Sequence, residues 1–259
     1  MDAISRREAG GTYSRGFYSY IQQGSLLSAR EIVPLVMRLI SPASVVDIGC
    51  GVGTWLAVFQ ECGVHEILGV DGEYVDRGML HIPAKNFAAA DLQQALKLDR
   101  QFDLAVSVEV AEHLPPECAE VFVASLCRHA PVVLFSAAIP QQGGNNHLNE
   151  QWPEYWADLF SKFGYVPVDC IRRQIWNNPQ IEWWYCQNII LYAAREWLVG
   201  RPDFHREFQS AIGVPLPLVH PRNYLTKLPE NTSLRQLGRK LSRILVHRLR
   251  SRLRLGREL

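Results

Sequence analysis

The stretch Val45-Val46-Asp47-Ile48-Gly49-Cys50-Gly51-Val52-Gly53-Thr54-Trp55 decides how the rest of the chain reads. Its mostly apolar start, Val45–Ile48, predicts a buried strand, the three alternate glycines a tight turn, and Thr54–Cys62 a helix. Glycine belongs where the backbone takes positive φ, or where a ligand approaches with no Cβ in the way. The helix start offers free N–H donors. A pyrophosphate-binding dinucleotide loop needs GxGxxG, and the third glycine position falls on Thr54 or Leu56, according to frame. Asp47, two residues before the first glycine, repels a pyrophosphate and suits an ammonium group. The loop therefore points to a cationic cofactor that carries an amino acid.

Outward from this loop, short apolar runs alternate with helical patterns. Ile67–Val70, Phe102–Val110, Pro131–Ala137, Tyr165–Cys170 and Trp183–Ala193 read as further strands, and Pro116–Arg128 and Trp152–Phe163 as helices. Ser28 with Glu31 reads as a capping box for a helix running to Ile40. Such alternation predicts an α/β fold with a doubly wound, mostly parallel sheet. Ligands of these sheets bind beyond the carboxyl ends of the strands, here just after Ile48, Val70, Val110 and Ala137.

These residues carry a resemblance. DIGCGVG resembles motif I of class I S-adenosylmethionine-dependent methyltransferases. Asp71 ends the strand ILGVD, 24 residues beyond Asp47; in that family an acidic residue there holds the ribose hydroxyls. Asp91, in AAADL, matches the position that contacts the adenine amino group. FDLAVSVEVAEHLP resembles the family's fourth strand and the residues just after it. The resemblance covers residues 25–195 or so. It implies a seven-stranded Rossmann-like sheet and S-adenosyl-L-methionine as cofactor. It also implies cofactor contacts from Asp47, Gly49, Cys50, Gly51, Gly53, Asp71, Gly72, Asp91, Leu92 and Glu109.

At the fourth strand end, Glu109, Glu112 and His113 share one face if the backbone turns helical after Val110. His147, in the glycine-asparagine loop after the next strand, can approach them. Two carboxylates and two imidazoles suit a divalent cation; the carboxylates favour Mg²⁺ or Mn²⁺, and imidazole shifts the preference toward Mn²⁺, Fe²⁺ or Zn²⁺. The set resembles the ExxEH-plus-later-His arrangement of Hen-type small-RNA 2′-O-methyltransferases and of ubiquinone-biosynthesis O-methyltransferases. That resemblance implies Glu109, Glu112, His113 and His147 as metal ligands, with Glu112, His113 and His147 as the catalytic group. Two other readings stand beside it: a metal-free role for His113 or His147 as general base, with Glu109 lining the cofactor pocket, or a structural role.

The segment GGNNHLNEQWPEYWADLF, followed by WWYCQN, resembles bacterial methyltransferases of cell-surface saccharide biosynthesis. It implies O-methylation of a saccharide or small-molecule hydroxyl by direct transfer. The alternatives are a catalytically silent cofactor-binding partner in a membrane-associated assembly, and an RNA 2′-O-methyltransferase. Aromatic residues gather in the same parts of the chain, at Tyr13–Tyr20, Trp152–Trp156 and Trp176–Tyr185. They read either as buried helix and strand faces or as rings that stack on the acceptor.

Charge divides the chain. The whole carries 27 Lys+Arg against 26 Asp+Glu, net +1. Residues 230–259 hold nine of the basic and two of the acidic side chains, net +7, which leaves net −6 for residues 1–229. Leu234, Leu237, Leu241, Ile244, Leu245, Leu249 and Leu253 recur at helical spacing, so the tail reads as a basic amphipathic helix. It fits an anionic membrane surface, a partner's groove or its own domain, through residues 234–255. The acidic body argues against nucleic acid. The expected organisation is an N-terminal lid segment at 1–27, a methyltransferase domain at 28–199, a Pro-rich linker at 200–233 and the basic helix at 234–259. At 47% hydrophobic and 20% charged residues, the composition is that of an ordinary globular protein. No apolar run reaches the roughly 18 residues of a spanning helix, and the first residues lack a secretory h-region. Six cysteines without a CxxC pair read as reduced thiols, hence a cytoplasmic protein, with the inner membrane surface as a peripheral site.

Overall fold

The computed structural model describes residues 15–213 and 215–228. Seven strands form one sheet: β1 (Ser44–Ile48), β2 (Glu66–Asp71), β3 (Phe87–Ala89), β4 (Leu104–Val108), β5 (Val132–Ser136), β6 (Tyr165–Val168) and β7 (Ile190–Ala194). Their spatial order is β3-β2-β1-β4-β5-β7-β6. Each neighbouring pair is parallel except those of β7, which runs antiparallel to β5 and β6. The carboxyl ends of β1 to β6 therefore lie along one edge. The order reverses at β1, which pairs with β2 on one side and β4 on the other. That switch point opens a crevice for a ligand.

Successive side chains of a strand face opposite ways, and both faces here are apolar. On one face Val45, Leu104, Val106, Leu134 and Leu191 pack with Ile32 and Val36 of α1 (Arg15–Ile40) and Leu56 and Phe59 of α2 (Thr54–Glu61). On the other, Val46, Ile48, Ala105, Phe135 and Tyr192 meet α3 (Ala119–His129) through Phe122 and Leu126, and α4 (Pro153–Ser161) through Trp156 and Phe160. Phe160 stacks on Tyr192, centroids 3.9 Å apart and planes 12° apart. Each such buried side chain stabilises the fold by about 1.5–3 kcal/mol, so Phe160→Ala would cost about 3–5 kcal/mol.

The α/β class, the seven strands and the mostly parallel order agree with the sequence reading. Several elements differ from it. Ser28 does not cap a helix, because α1 begins at Arg15. The Ser28 hydroxyl donates to the Gly24 carbonyl at 2.7 Å and accepts from the Glu182 amide at 3.0 Å, so it ties the helix to a distant loop. After the short helix α5 (Arg172–Ile175), residues 183–188 form α6 (Trp183–Asn188) and not the start of a strand; only Ile190–Ala194 is extended. Gln187 and Asn188 are buried and need partners, and the helical turn turns both amides toward the loop after β5. β3 is three residues long and alanine-rich, too short for a periodic signal.

Residues 195–226 hold α7 (Arg195–Val199), α8 (Pro202–Glu207) and α9 (Pro221–Thr226). Pro202 and Pro221 start helices, where the missing N–H costs nothing. Ile212 bridges Val168 and covers the exposed edge of β6. The chain divides into two compact units, residues 1–218 and 219–259. The first holds the sheet, and the second holds α9. The basic helix expected at 234–259, and residues 1–14 of the expected lid segment, lie outside the described residues. Among the described residues no helix is long and apolar enough to cross a membrane.

Candidate active site

The glycine turn after β1 opens the site. Gly49 has φ +93°, and a Cβ on it would lie 2.4 Å from Val110 Cγ2, so the β1 and β4 ends approach through this glycine. Gly51 has φ +53°, and a Cβ there would meet no atom within 4 Å. It borders a cavity of about 290 Å³ with Asp47, Gly49, Cys50, Trp55, Val108 and Tyr185. Gly53 stands at the cap of α2.

Asp47 lies near the carboxyl end of β1 with 2% of its surface exposed. Burial, and then repulsion from Asp71, hold its carboxyl well above the usual carboxylate range. Such a group favours a cationic ligand, which restores the charge. Burial also pushes up the Cys50 thiol, so it is a neutral wall and not a nucleophile. Apolar surface comes from Trp55 and Tyr185, which meet edge to face at 5.3 Å, and from Met79. A buried carboxylate, a glycine face without Cβ atoms and apolar walls fit an amino-acid head joined to a nucleoside.

Asp71 ends β2 and is buried. Its carboxylate accepts from the amides of Gly51 and Gly72, each at 2.7 Å, and from the Tyr74 hydroxyl. Tyr74, Val75 and Asp76 line the cavity, while Asp71 and Gly72 stand behind them, outside its wall. Asp91 is exposed and accepts from the Gln93 amide at 3.0 Å, while Leu92 belongs to the core. Neither borders the cavity.

Beyond β4 the backbone bends sharply. Glu109 has φ +55°, a conformation that costs a non-glycine residue about 1–3 kcal/mol. Its amide donates to both the carbonyl and the hydroxyl of Ser136, each at 3.0 Å. Its carboxylate accepts from Asn188 Nδ2 at 3.0 Å and Gln142 Nε2 at 3.1 Å. Gln142 Oε1 in turn accepts from Gln187 and Asn188. Burial raises the Glu109 carboxyl, and these donors oppose the rise. Glu109 is thus held by an amide network; it stands beside Glu112 and raises that carboxyl, while the converging ligand atoms are those of Glu112, His113 and His147.

The other three residues do converge. Glu112 lies in a single 3-10 turn, Ala111–His113. It is wholly buried, and neither carboxylate oxygen has a hydrogen-bond partner. Burial and then Glu109 hold its carboxyl well above the usual range. One ligand atom from each of Glu112, His113 and His147 lies within 4.8 Å of the others. The two imidazoles meet edge to face, centroids 4.9 Å apart. Burial and then His147 lower the His113 pKa, which keeps that ring neutral. Ligands about 2.0–2.2 Å from one ion sit roughly 3–4.4 Å apart, so a small closure would let these three share a cation.

The loop bearing His147 is pinned to the turn by amides of Leu148 and Asn149, which donate to the Glu112 carbonyl at 2.7 and 3.0 Å. Glu150 lies on the same loop, against His147 Nδ1 at 2.9 Å. The sequence reading named neither Glu150 nor Asn188 in a site role and passed over Gln142. A carboxylate three residues after a histidine was visible in the sequence. The amide network was not, because its members lie far apart in the chain. Of the aromatic residues, Trp156 is core and Tyr185 lines the cavity, while Trp152 is 40% exposed.

A doubly wound sheet whose switch-point loop frames a buried carboxylate defines a protein that binds a cationic nucleoside cofactor. Similarity to known proteins carries this further. A family profile described as a methyltransferase domain matches residues 20–184. No curated protein matches the sequence. Among solved structures, the sugar N-methyltransferase KedS8 from Streptoalloteichus is similar at 15% identity and TM-score 0.56, over 75% of this chain and 99% of its own. CalS10, an amino pentose methyltransferase from Micromonospora echinaspora, gives 13% and 0.51, over 72% and 99%. DesVI from Streptomyces venezuelae gives 16% and 0.50, over 69% and 95%. The chain belongs to the methyltransferase-domain family and is an S-adenosylmethionine-dependent methyltransferase.

Proposed function

We propose that this enzyme methylates a hydroxyl of a saccharide or related small molecule, with a divalent cation held by Glu112, His113 and His147. The observation that carries this reading is Glu112: a fully buried carboxylate with two unpartnered oxygens, beside two imidazoles, one turn beyond a cavity-lining strand. A buried carboxylate beside a second carboxylate is costly unless a proton or a cation neutralises it. One carboxylate and two imidazole nitrogens suit manganese, iron(II) or zinc better than magnesium, which keeps to oxygen ligands.

The cofactor supplies an electrophilic methyl group, and a cation, when bound, lowers the pKa of a hydroxyl and orients its oxygen. The chain's residues supply position. Asp47 takes the ammonium of the amino-acid moiety, Gly51 lets it approach, and Asp71 holds the sugar hydroxyls once Tyr74 gives way. Glu109, fixed by Asn188 and Gln142, sets the course of the turn that bears Glu112 and His113. An acceptor oxygen held in line with the methyl carbon would take the methyl group as the carbon–sulfur bond breaks and S-adenosylhomocysteine leaves, and proximity would account for much of the rate. With the cation bound, the lone pair of His113 is taken up by ligation and the acidified hydroxyl loses its proton to water; only without a cation is His113, kept neutral by burial, free to accept that proton.

The saccharide acceptor rests on the sequence resemblance and on the printed sugar substrates of KedS8 and CalS10, which support the class of acceptor and not the atom. Thorough chelation should abolish methylation of a saccharide panel, and Mn²⁺ should restore it better than Mg²⁺. Full activity after chelation, together with a mild effect of Glu112→Gln, would remove the cation from the scheme and leave His113 as a general base.

A further inference from the structure

Glu150 takes no part in the reaction as described above, yet three donors converge on it. Its Oε2 accepts from the Gln141 amide at 2.7 Å, and its Oε1 from the Gly143 amide at 2.8 Å. His147 Nδ1 lies 2.9 Å from the same Oε1. Backbone amides only donate, so both oxygens act as acceptors toward the loop. Beside Oε1, Nδ1 must carry the imidazole proton, which leaves the Nε2 lone pair free.

The opposite side of the ring is shaped as closely. A Cβ on Gly144 would lie 2.0 Å from His147 Nε2 and 2.4 Å from Cε1. The imidazole thus lies against bare backbone, in space that only glycine leaves. The Gly144 backbone is outside the left-handed region, so alanine meets no backbone strain there, and it can enter only by displacing the ring.

We infer that Glu150 and Gly144 are positioning residues for His147: the carboxylate fixes the tautomer and the missing Cβ fixes the ring, so that Nε2 is presented to Glu112 and His113. The inference rests on the reading that this cluster serves the reaction, and it adds how the third member is aimed. Outer partners of this kind typically matter by about 10- to 100-fold in activity or metal affinity.

The test uses the full chain, labelled with ¹⁵N-histidine, without added metal, and with His147→Ala to assign the resonance. Two-bond ¹H–¹⁵N correlation should show a protonated Nδ1 and an unprotonated Nε2 in His147. Glu150→Gln should give a mixture of tautomers and lower kcat about 10- to 100-fold. Gly144→Ala keeps the carboxylate and its amide contacts but displaces the ring; it should shift the His147 resonances and lower kcat to a similar degree, with the circular dichroism of the wild type. A wild-type His147 signature in Glu150→Gln, or a kcat within about twofold of wild type in both variants, overturns the inference. Chelator-resistant activity in the wild type overturns only the cation, because the tautomer is read without metal.

Discussion

Asp47 combines two demands that pull its proton in opposite directions. Burial and Asp71 raise its pKa in the folded protein, so above the ordinary carboxylate range the folded chain holds this proton more tightly than the unfolded chain does. The favourable contribution is therefore complete below the ordinary carboxylate range, and it fades as pH rises toward the folded value. Asp47→Asn should then raise the melting temperature of the ligand-free protein at pH 7–8 and leave it unchanged near pH 3. A cationic ligand works the other way, because it favours the ionised carboxylate. Binding of S-adenosylhomocysteine, which keeps the ammonium group, should release a proton, detectable by calorimetry in two buffers of different ionisation enthalpy. The variant should bind about 10- to 100-fold more weakly, as expected for a lost charged hydrogen bond, and release no proton. Equal affinity and equal proton release in the variant would exclude this role. Asp47 was legible from its place before the glycines. Asp71 was legible only in part: its position was clear, but its engagement by Gly51, Gly72 and Tyr74 depends on how two loops meet.

Between elements, the glycine turn separates stability from binding. Gly49 touches the β4 end, since its Cβ would enter Val110. Gly51 faces the cavity, and a Cβ there would touch nothing. A left-handed conformation costs a residue with a Cβ about 1–2 kcal/mol, and overpacking adds about 1–3 kcal/mol more. Gly49→Ala should therefore lose about 2–5 kcal/mol in urea unfolding. Gly51→Ala should lose only about 1–2 kcal/mol but should bind S-adenosylhomocysteine far more weakly, because its methyl group projects into the cofactor's space. Equal losses of stability, or intact binding by Gly51→Ala, would contradict that division. The strand–glycine–helix unit was readable because its signals are local: a buried run, turn residues and a helix start. Where long-range partners decide, the pattern misleads. Trp183–Asn188 is apolar enough to pass for a strand, but the burial of Gln187 and Asn188 against Gln142 and Glu109 selects a helix. Ser28 resembles a cap, yet α1 continues through it, and its hydroxyl finds the Glu182 amide 154 residues away.

In the first compact unit as a whole, the carboxyl edge of the sheet is held by one buried cation. Arg172 is 1% exposed. Its Nε donates to Asp169 Oδ1 at 2.9 Å and its Nη2 to Asp169 Oδ2, while Nη1 reaches the Gln187 carbonyl at 3.1 Å and Nη2 also the Leu216 carbonyl at 3.0 Å. It thus joins the β6 end, α6 and the segment after α8. The side chain of Gln187 continues to Gln142, and Gln142 to Glu109. Nothing in the sequence marks Arg172, because its neighbour Arg173 is of the same type and no spacing distinguishes them; topology alone places one inside. Breaking a buried pair by removing one partner costs about 3–5 kcal/mol, and two carbonyls lose their donors as well. Arg172→Leu should therefore destabilise by about 3–5 kcal/mol. Asp169→Ala should cost less, since its side chain is 21% exposed and water can reach the guanidinium in its place. The double variant should fall short of the sum of the two by more than about 0.5 kcal/mol, the coupling expected of groups in contact. If the effects add, the ion pair does not hold this edge together, and the two carbonyl contacts account for the loss. Because the same side chain backs the network around Glu109, Arg172→Leu should also show a lower kcat at a temperature where its circular dichroism matches the wild type. An unchanged kcat under that condition would mean that Glu109 is held by Asn188 and Gln142 independently of the β6 corner.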